Sequence, residues 1–252
     1  MEISLVSDLL ATHDQCRELS LPGGNILLLG GDLCPVEGVP QKVVTRLEQE
    51  FDKYNKVYAV LGNHEHYHGD FDTTEELYRK IFPSIYLLDN AWVELSEDVV
   101  LFGSTLWSDL NKGDPLVEAS VRSWSDYKHI SVGERRLRAS DTLAAHKEAI
   151  RALYACLEAN EGKKIIILTH FVPTSQACHP RYSMSLDNWF FYSNLEDIIL
   201  DNSNIIAWCF GHTHDTYDFK IGNCRLMCNP RGYVTSYRQE QTGWNPNFKF
   251  EV

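Results

Sequence analysis

The octapeptide NILLLGGD, which runs from Asn25 to Asp32, decides the fold class. Its apolar residues follow one another without alternation, and two glycines then lead into a carboxylate. A continuous run of this kind is typical of a short strand that is buried on both faces. Other apolar runs have the same layout, and the polar residues that follow them are Asp8, Asn63, His170 and His212. We therefore predict a set of buried strands that each end in a polar side chain.

Patterns typical of helices separate these strands. The segment from Val39 repeats apolar residues three and four positions apart and carries Pro40 near its start. We predict further helices from Thr73, from Ser140 and from Asn194, with threonine and serine caps on the first two. Strands that alternate with helices indicate an α/β fold. The late segments YDFKIG, NCRLMCN and FKFEV are typical of hairpin or edge strands.

The chain is predicted to form a single domain over residues 1–252. No segment has the composition of a linker between two halves, and 252 residues is an ordinary size for one α/β domain. Residues from about 107 to 139 mix aromatic and polar side chains with weak helical periodicity. We expect this stretch to be an irregular insertion over the functional site.

Composition and charge restrict the possible partners. The formal net charge is −12, and the densest basic cluster is GERRLRAS, Gly133 to Ser140. Duplex nucleic acid is therefore a poor partner, because phosphate contacts need a basic face. No apolar run reaches the roughly 20 residues of a membrane span. The cysteines are scattered without a CxxC pair, and the N-terminus lacks a signal-peptide pattern, so we expect a cytoplasmic protein.

The polar residues that follow the strands predict one metal site. Open α/β sheets place their ligands at the carboxyl ends of the strands, so these side chains are expected to meet. Their donor atoms are oxygen and nitrogen, which suit Mn, Fe or Zn. The expected set is Asp8, Asp32, Asn63, His64, His170, His212 and His214.

Several motifs resemble those of the calcineurin-like metallophosphoesterase superfamily. They are GGD (Gly30–Asp32), GNHE (Gly62–Glu65) and GHTH (Gly211–His214), together with Asp8 and His170. The later NPRGY, Asn229 to Tyr233, is similar to a turn in small single-domain bacterial and phage members. The resemblance implies two facing mixed β-sheets flanked by helices, a four-layer sandwich with a two-metal site at its edge.

The resemblance also implies a role for each site residue. Asp32 would bridge two divalent ions, with manganese expected and iron or zinc as alternatives. One ion would be completed by Asp8 and His214, and the other by Asn63, His170 and His212. His64 would be the general acid that faces the leaving group.

These roles imply hydrolysis of a small phosphomonoester or phosphodiester, for example a nucleotide, by metal-activated water. Two other functions stay open at this point. One is a nuclease that acts on single-stranded ends. The other is a module that binds a metal or a phosphorylated ligand without turnover.

The first metal site, which Asp8 and His214 would complete, departs from the family pattern. Leu10 stands where the family has a ligand histidine, and leucine cannot bind a metal. Three hypotheses follow: His13 replaces the lost ligand, the first site is weak, or the protein works with one metal or without catalysis. The second motif, GDLCPVEG, also lacks the Asp and Arg of the family's protein phosphatases, which makes a phosphoprotein substrate less expected.

Several residues near the motifs are candidates for contacting the substrate. His66 and His68 follow the GNH loop, and Arg181 and Arg231 offer planar guanidinium groups that suit phosphate. The aromatic side chains of the insertion either stack on a nucleobase or pack the insertion against the core. These aromatic residues are Trp107, Trp124 and Tyr127.

Overall fold

Two β-sheets form the centre of the protein. The computed structural model describes residues 1–11, 18–178, 185–234 and 239–252. The first sheet has the strand order β13-β1-β2-β3-β4, and its strands are β1 (Glu2–Val6), β2 (Gly24–Gly30), β3 (Tyr54–Val60), β4 (Tyr86–Leu87) and β13 (Lys249–Glu251). The second has the order β11-β12-β10-β9-β6-β5, and its strands are β5 (Ala91–Ser96), β6 (Val99–Ser104), β9 (Lys164–Thr169), β10 (Ile205–Phe210), β11 (Tyr217–Ile221) and β12 (Cys224–Cys228).

Both sheets are mixed. In the first, β1 to β4 pair in parallel and β13 pairs antiparallel with β1. In the second, β12, β10, β9 and β6 are parallel, while β11 and β5 are antiparallel edge strands. Five of the parallel strands, β1, β2, β3, β9 and β10, contain the continuous apolar runs of the sequence, because both of their faces are covered.

The two sheets face each other across a shared apolar layer. Side chains of the first sheet such as Leu5 and Leu28 pack in one cluster with Leu101, Ile166 and others of the second. The expected two facing mixed sheets flanked by helices are confirmed.

Helices cover the outer face of each sheet. The helices are α1 (Gln41–Phe51), α2 (Thr74–Ile81), α3 (Leu110–Gly113), α4 (Pro115–Ser120), α5 (Ser125–His129), α6 (Ala139–Ala159) and α7 (Glu196–Asp201). Helices α1 and α2 pack on the first sheet, and α6 and α7 on the second. Within the described ranges, no helix has both the length and the apolarity needed to cross a bilayer.

The predicted serine cap of the long helix is wrong. Arg138 is the N-cap residue of α6, and Ser140 lies inside the first turn. The Asp141 carboxylate accepts a hydrogen bond from the Arg138 backbone N–H at 2.8 Å. It is also bound by both terminal nitrogens of Arg135, at 2.6 and 2.8 Å. The N-cap therefore lies two residues before the predicted Ser140. Thr73 occupies the N-cap position of α2, but its side chain makes no capping hydrogen bond.

The segment from Trp107 to Arg138 contains short elements of its own. In α3, Asn111 and Lys112 have left-handed backbone angles, and α4 and α5 follow. A two-residue hairpin then pairs β7 (Ser131–Val132) with β8 (Arg135–Arg136). The segment has its own apolar cluster, which includes the buried Trp107 and Tyr127.

Candidate metal centre

The carboxyl ends of the parallel strands meet at one edge of the sandwich. Asp8 follows β1 and Asp32 follows β2, both with left-handed φ angles, of 50° and 56°. The glycines between strand and loop let the chains approach closely. A Cβ on Gly31 would lie 2.5 Å from His170 Nδ1, and one on Gly62 would lie 2.1 Å from Asp32 Oδ1. Residues far apart in sequence can therefore place ligand atoms side by side.

Two groups of side chains have ligand atoms within 4.8 Å of one another: Asp32 with His170 and His212, and Asp8 with Asp32 and His214. Asp32 is common to both groups, so one carboxylate lies where it can contact two ions. Within the described residues, these groups contain every histidine and aspartate that the family resemblance assigns to a metal, and His64 is in neither group.

His170 presents a lone pair to the second group. Its Nδ1 lies 2.8 Å from the Gly30 carbonyl oxygen, which can only accept a hydrogen bond. Nδ1 therefore carries the proton. Burial lowers the pKa of His170 to about 4, so at neutral pH Nε2 has no proton. A metal-binding histidine is commonly oriented in this way, by a hydrogen bond from its other nitrogen.

Two oxygen atoms that face this lone pair are also acceptors. Asn63 Oδ1 lies 3.0 Å from His170 Nε2, and Asp32 Oδ1 lies 3.4 Å from it. The Asn63 amide cannot be reversed without loss, because its Nδ2 donates to Asp126 Oδ1 at 2.9 Å. His212 Nδ1 lies 3.2 Å from the same Nε2. Lone pairs directed at one another repel, and a shared cation removes that repulsion.

The first group combines two carboxylates with one histidine. His214 Nε2 lies 3.5 Å from Asp8 Oδ1. Its Nδ1 lies 2.8 Å from Glu240 Oε2, which also accepts from the Tyr233 backbone N–H at 3.0 Å. Burial alone would lower the pKa of His214, but the carboxylates of Asp8, Glu240 and Asp32 raise it overall. Glu240 thus orients His214 as a carboxylate orients many metal-binding histidines.

The two aspartates of the ligand groups are fully buried. Asp8 and Asp32 are 0% and 1% exposed. Burial raises the pKa of Asp32 to about 7 and also raises that of Asp8. Two buried carboxylates without a cation are therefore unfavourable as anions. The oxygen and imidazole donor set fits a divalent ion such as Mn, Fe or Zn.

Leu10 contributes no ligand, as its chemistry requires. Its side chain is buried, and its backbone N–H donates to the Asp32 carbonyl at 2.9 Å. The residue has a left-handed φ of 46°. The Leu10 backbone therefore links the loop that carries Asp8 to the loop that carries Asp32. His13, the proposed replacement ligand, lies outside the described residues.

His64 lines the cavity beside the two groups. Its ring stacks on Tyr67 with 4.3 Å between ring centroids, and its Nε2 lies 3.8 Å from Asp32 Oδ2. Burial lowers the pKa of His64 to about 4, against the charges of Asp126 and Asp8. The cavity measures about 250 Å³ and is lined by Asp32, Asn63, His64, Tyr67, Trp124, Ser125, Asp126, Phe190, Phe191, His212, Thr213, His214, Tyr233 and Glu240.

The comparison with protein families agrees with this geometry. The sequence model of the calcineurin-like phosphoesterases matches residues 5–216, which include all of the proposed metal ligands in the described structure. This chain belongs to the calcineurin-like phosphoesterase family.

Individual relatives extend the comparison. Uncharacterized protein L509 of Acanthamoeba polyphaga mimivirus is 31% identical over 210 residues, which are 77% of this phosphoesterase and 72% of the viral protein. Phosphopantetheinyl hydrolase from Mycobacterium tuberculosis superposes with a TM-score of 0.73 at 16% identity, covering 92% of this chain and 89% of that one. TT1561 of Thermus thermophilus superposes with a TM-score of 0.55 at 12% identity, covering 92% and 88%. At such identities the structural matches establish the fold.

One residue of the family motif acquires a role that the sequence analysis did not assign. The Glu65 carboxylate is buried and accepts hydrogen bonds from the backbone N–H groups of Gly62, at 2.7 Å, and Asp32, at 3.0 Å. It also accepts from Leu33 and Cys34. Burial, together with the nearby Asp32, raises the pKa of Glu65 to about 8. Glu65 therefore joins the loop after β2 to the loop after β3.

Asp126 is a further site residue that the sequence did not predict. This buried carboxylate lies in α5, inside the insertion, and accepts from Tyr67 Oη at 2.7 Å as well as from Asn63. One carboxylate of the insertion thus contacts a proposed metal ligand and the ring partner of His64. No local pattern in the sequence marks this contact, because 63 residues separate Asp126 from Asn63.

The substrate-binding candidates lie in different places. His66 is buried against Phe71 and lines a separate cavity. His68 is exposed and lies 5.2 Å from the ring of His129. Arg231 is buried, and its backbone N–H donates to the Ser7 carbonyl. Arg181 lies outside the described residues.

The aromatic residues of the insertion lie in two different environments. Trp107 packs against Phe171, with 5.0 Å between ring centroids, and Tyr127 is buried with its hydroxyl 2.9 Å from Thr142 Oγ1. Both therefore pack the insertion against the core. Trp124 is partly exposed and lines the cavity of the metal centre.

Proposed function

We propose that this family member hydrolyses a small phosphomonoester or phosphodiester with two bound divalent metal ions. The observation that carries the proposal is the convergence of two acceptor oxygens, Asn63 Oδ1 and Asp32 Oδ1, on the unprotonated His170 Nε2, with Asp32 shared between two ligand groups. Manganese is the proposed metal, with iron or zinc as alternatives. The expectation of a cytoplasmic protein belongs to the same proposal, and the scattered cysteines support it.

The proposed ligands divide the work. Asp32 would contact both ions, while Asn63, His170 and His212 would complete one site and Asp8 and His214 the other. Two ions held in this way would supply positive charge to the phosphoryl oxygens and lower the pKa of the attacking water.

His64 is proposed to donate the proton that the leaving oxygen needs. Burial favours its neutral form, but a phosphoester in the cavity places negative charge beside the ring. Negative charge favours the protonated imidazole. The stacking of His64 on Tyr67 fixes the plane of its ring. These contacts support an acid of fixed position at the cavity wall.

Hydrolysis of two chromogenic esters tests the proposal. The metal-depleted protein is assayed with p-nitrophenyl phosphate and with bis(p-nitrophenyl) phosphate, before and after Mn²⁺ is added. We expect Mn²⁺-dependent release of nitrophenol from at least one ester, and the preferred ester separates phosphatase from phosphodiesterase activity. Asp32→Asn is expected to abolish turnover, because the bridging charge is lost.

Two results would contradict the proposal. One is turnover that survives both a chelator and Asp32→Asn. The other is tight Mn²⁺ binding without hydrolysis of either ester, which would favour the binding-module function.

A further inference from the structure

Aromatic rings form one wall of the metal-site cavity. Trp124 lies 4.6 Å from Phe190 and 5.4 Å from Phe191, measured between ring centroids. All three line the cavity. Phe191 also lies 5.0 Å from the ring of His212, a proposed metal ligand. The aromatic wall is therefore continuous with the metal centre.

Two separate segments build this wall. Trp124 comes from the insertion, between a 3-10 turn and α5, and Phe190 ends the 3-10 helix Leu186–Phe190. The Trp124 indole Nε1 donates to Asp187 Oδ1 at 3.4 Å, which ties the insertion to that 3-10 helix. Phe190 is buried, whereas Trp124 is partly exposed. The exposed part of the indole is therefore available to a ligand, while the contacts with Phe190 and Asp187 hold the ring in place.

The other side of the catalytic histidine also carries a ring. Tyr233 lies 6.3 Å from His64 and 5.2 Å from His214, and its side chain is 47% exposed. Tyr67 stacks on His64 and lines the same cavity. The alcohol that leaves the phosphorus next to His64 would therefore lie close to aromatic rings.

The size of the cavity limits what it holds. An apolar cavity of about 150 Å³ is enough for one benzene ring. The cavity here measures about 250 Å³. It accommodates a phosphoryl group together with one flat ring system, and aromatic walls favour such a partner by offset or edge contacts.

We propose that the substrate is a phosphoester whose alcohol part carries a flat aromatic or heteroaromatic ring, and that Trp124 is its main contact. This inference rests on the proposed function, since it assigns the leaving-group side of the same site. In this arrangement the ring packs on Trp124. The phosphoryl group lies beside the ligand atoms of Asp32, Asn63 and the proposed metal-binding histidines.

A matched pair of substrates tests the inference. Benzyl and cyclohexylmethyl alcohols are primary alcohols of similar size, and they differ in whether the ring is flat and aromatic. Each is supplied as its phosphomonoester and as its methyl phosphodiester, and kcat/KM is measured with the Mn²⁺-loaded protein. We expect the wild type to prefer the benzyl ester of the accepted type by at least about 5-fold, because stacking on one aromatic side chain stabilises a bound ring substantially.

Variants of Trp124 locate the contact. Trp124→Leu is expected to lower kcat/KM for the benzyl ester by about 10-fold and for the cyclohexylmethyl ester by less than about 2-fold. Trp124→Phe keeps an aromatic face and is expected to stay within about 3-fold of the wild type on both esters. Trp92→Leu is the matched control, because Trp92 is 40% exposed on the edge strand β5. It is expected to leave both values unchanged.

Two outcomes overturn the inference while the proposed function stands. One is wild-type turnover of the nitrophenyl esters with no preference between benzyl and cyclohexylmethyl. The other is an equal loss on both esters in Trp124→Leu, which would assign the indole to packing alone. Absence of turnover on the nitrophenyl esters would instead overturn the proposed function, and the inference with it. Bound Mn²⁺ per chain is measured in each variant, so that a misfolded protein is recognised.

Discussion

At the scale of single residues, the orientation of the Asn63 amide depends on the insertion. Asp126 accepts from Asn63 Nδ2 and from Tyr67 Oη, and the opposite end of the amide then faces His170. If Asp126 is removed, the amide can rotate and present its NH₂ group to the metal. Contacts of this kind commonly change metal affinity by about 10- to 100-fold.

We therefore expect Asp126→Ala to weaken Mn²⁺ binding by about 10-fold or more. The affinity is measured by titration calorimetry on the metal-depleted protein, and circular dichroism confirms that the variant folds. Asp52→Ala is the control, because Asp52 is exposed at the end of α1. An unchanged affinity in Asp126→Ala would show that Asn63 does not need this contact.

The proposed acid is tested separately from the ligands. His64→Ala is expected to lower kcat by about 100-fold or more, because proton donation to the leaving group is lost. Metal content is expected to stay the same, since His64 is outside both ligand groups. Elemental analysis and steady-state kinetics check these two expectations together.

His68→Ala provides the contrast, because this nearby histidine is exposed and does not line the cavity. We expect its kcat to remain near that of the wild type. A loss in His68→Ala as large as in His64→Ala would contradict the proposed arrangement.

The residues that sequence reasoning predicted and those it missed differ in kind. Asp8, Asp32 and His170 each follow a buried strand, so strand ends alone predict that they meet. Asp126 and Glu240 reach the site from segments with no such signal, and only tertiary structure brings them to Asn63 and His214. Second contacts of metal ligands depend on the packed fold and cannot be read from local spacing.

At the scale of elements, α1 is joined to the loop before β2 by one buried carboxylate. Glu50 is 2% exposed and accepts from the Leu21 backbone N–H and from Lys53 Nζ, both at 2.6 Å. Arg46 also bonds to it. Burial alone would raise the pKa of Glu50, but the bonds from Lys53, Leu21 and Arg46 lower it overall.

A carboxyl whose pKa is lower in the folded state stabilises the fold while it is ionised. That stabilisation is present above the unfolded pKa of about 4.3 and is lost as the pH falls through the folded pKa. We therefore expect Glu50→Gln to reduce the free energy of unfolding by roughly 1–3 kcal/mol at pH 7. The difference from the wild type should shrink as the pH falls below about 4.

Urea denaturation of both proteins across this pH range measures the effect. Glu48→Gln, on the same helix, is the control and is expected to change stability little. A difference between wild type and Glu50→Gln that stays constant with pH would contradict the assignment.

The elements themselves were predictable to different degrees. The strands β1, β2, β3, β9 and β10 follow from their continuous apolar runs, and helix α1 follows from its periodicity, with Pro40 at the predicted start. The start of α6 was misplaced because the Arg135–Asp141 ion pair, rather than Ser140, sets it. The strands β5 and β6 escaped prediction. In β5 half-buried positions alternate with exposed ones and no residue is fully buried, and β6 is buried along its length without a polar ligand after it.

In the molecule as a whole, the proposed metal centre lies where the two sheets meet. Asp8 and Asp32 follow strands of the first sheet, while His170 and His212 follow strands of the second. Ions bound by both sets would hold the sheets together at this edge. Ligands that bind only the folded state raise its stability, by about 2.7 kcal/mol at a 100-fold excess over Kd.

We therefore expect Mn²⁺ to raise the Tm of the metal-depleted protein by roughly 5–10 °C. Asp32→Asn is expected to remove most of this shift, because it weakens both sites. Differential scanning calorimetry with and without Mn²⁺ measures it, and Mg²⁺ at the same ionic strength controls for a general salt effect. An equal shift in wild type and Asp32→Asn would place the stabilising ion elsewhere.

The architecture as a whole was accessible from the sequence mainly through motif resemblance. Periodicity indicates an α/β fold, but it does not say whether the strands form one sheet or two. The order GGD, GNHE and GHTH implied two facing sheets, and the shared apolar layer between them confirms it. Pairing between distant strands is a property of the packed chain, so local patterns alone do not determine it.

Asp32 is proposed to bridge the two ions of a two-metal centre. The most direct measurement is the amount of bound metal per chain, by elemental analysis, after reconstitution with Mn²⁺ and removal of the excess. Two ions per chain are predicted for the wild type, because both ligand groups converge even though Leu10 supplies no ligand. One ion or none would contradict the proposed two-metal centre, because Asp32 would then have no pair of metals to bridge.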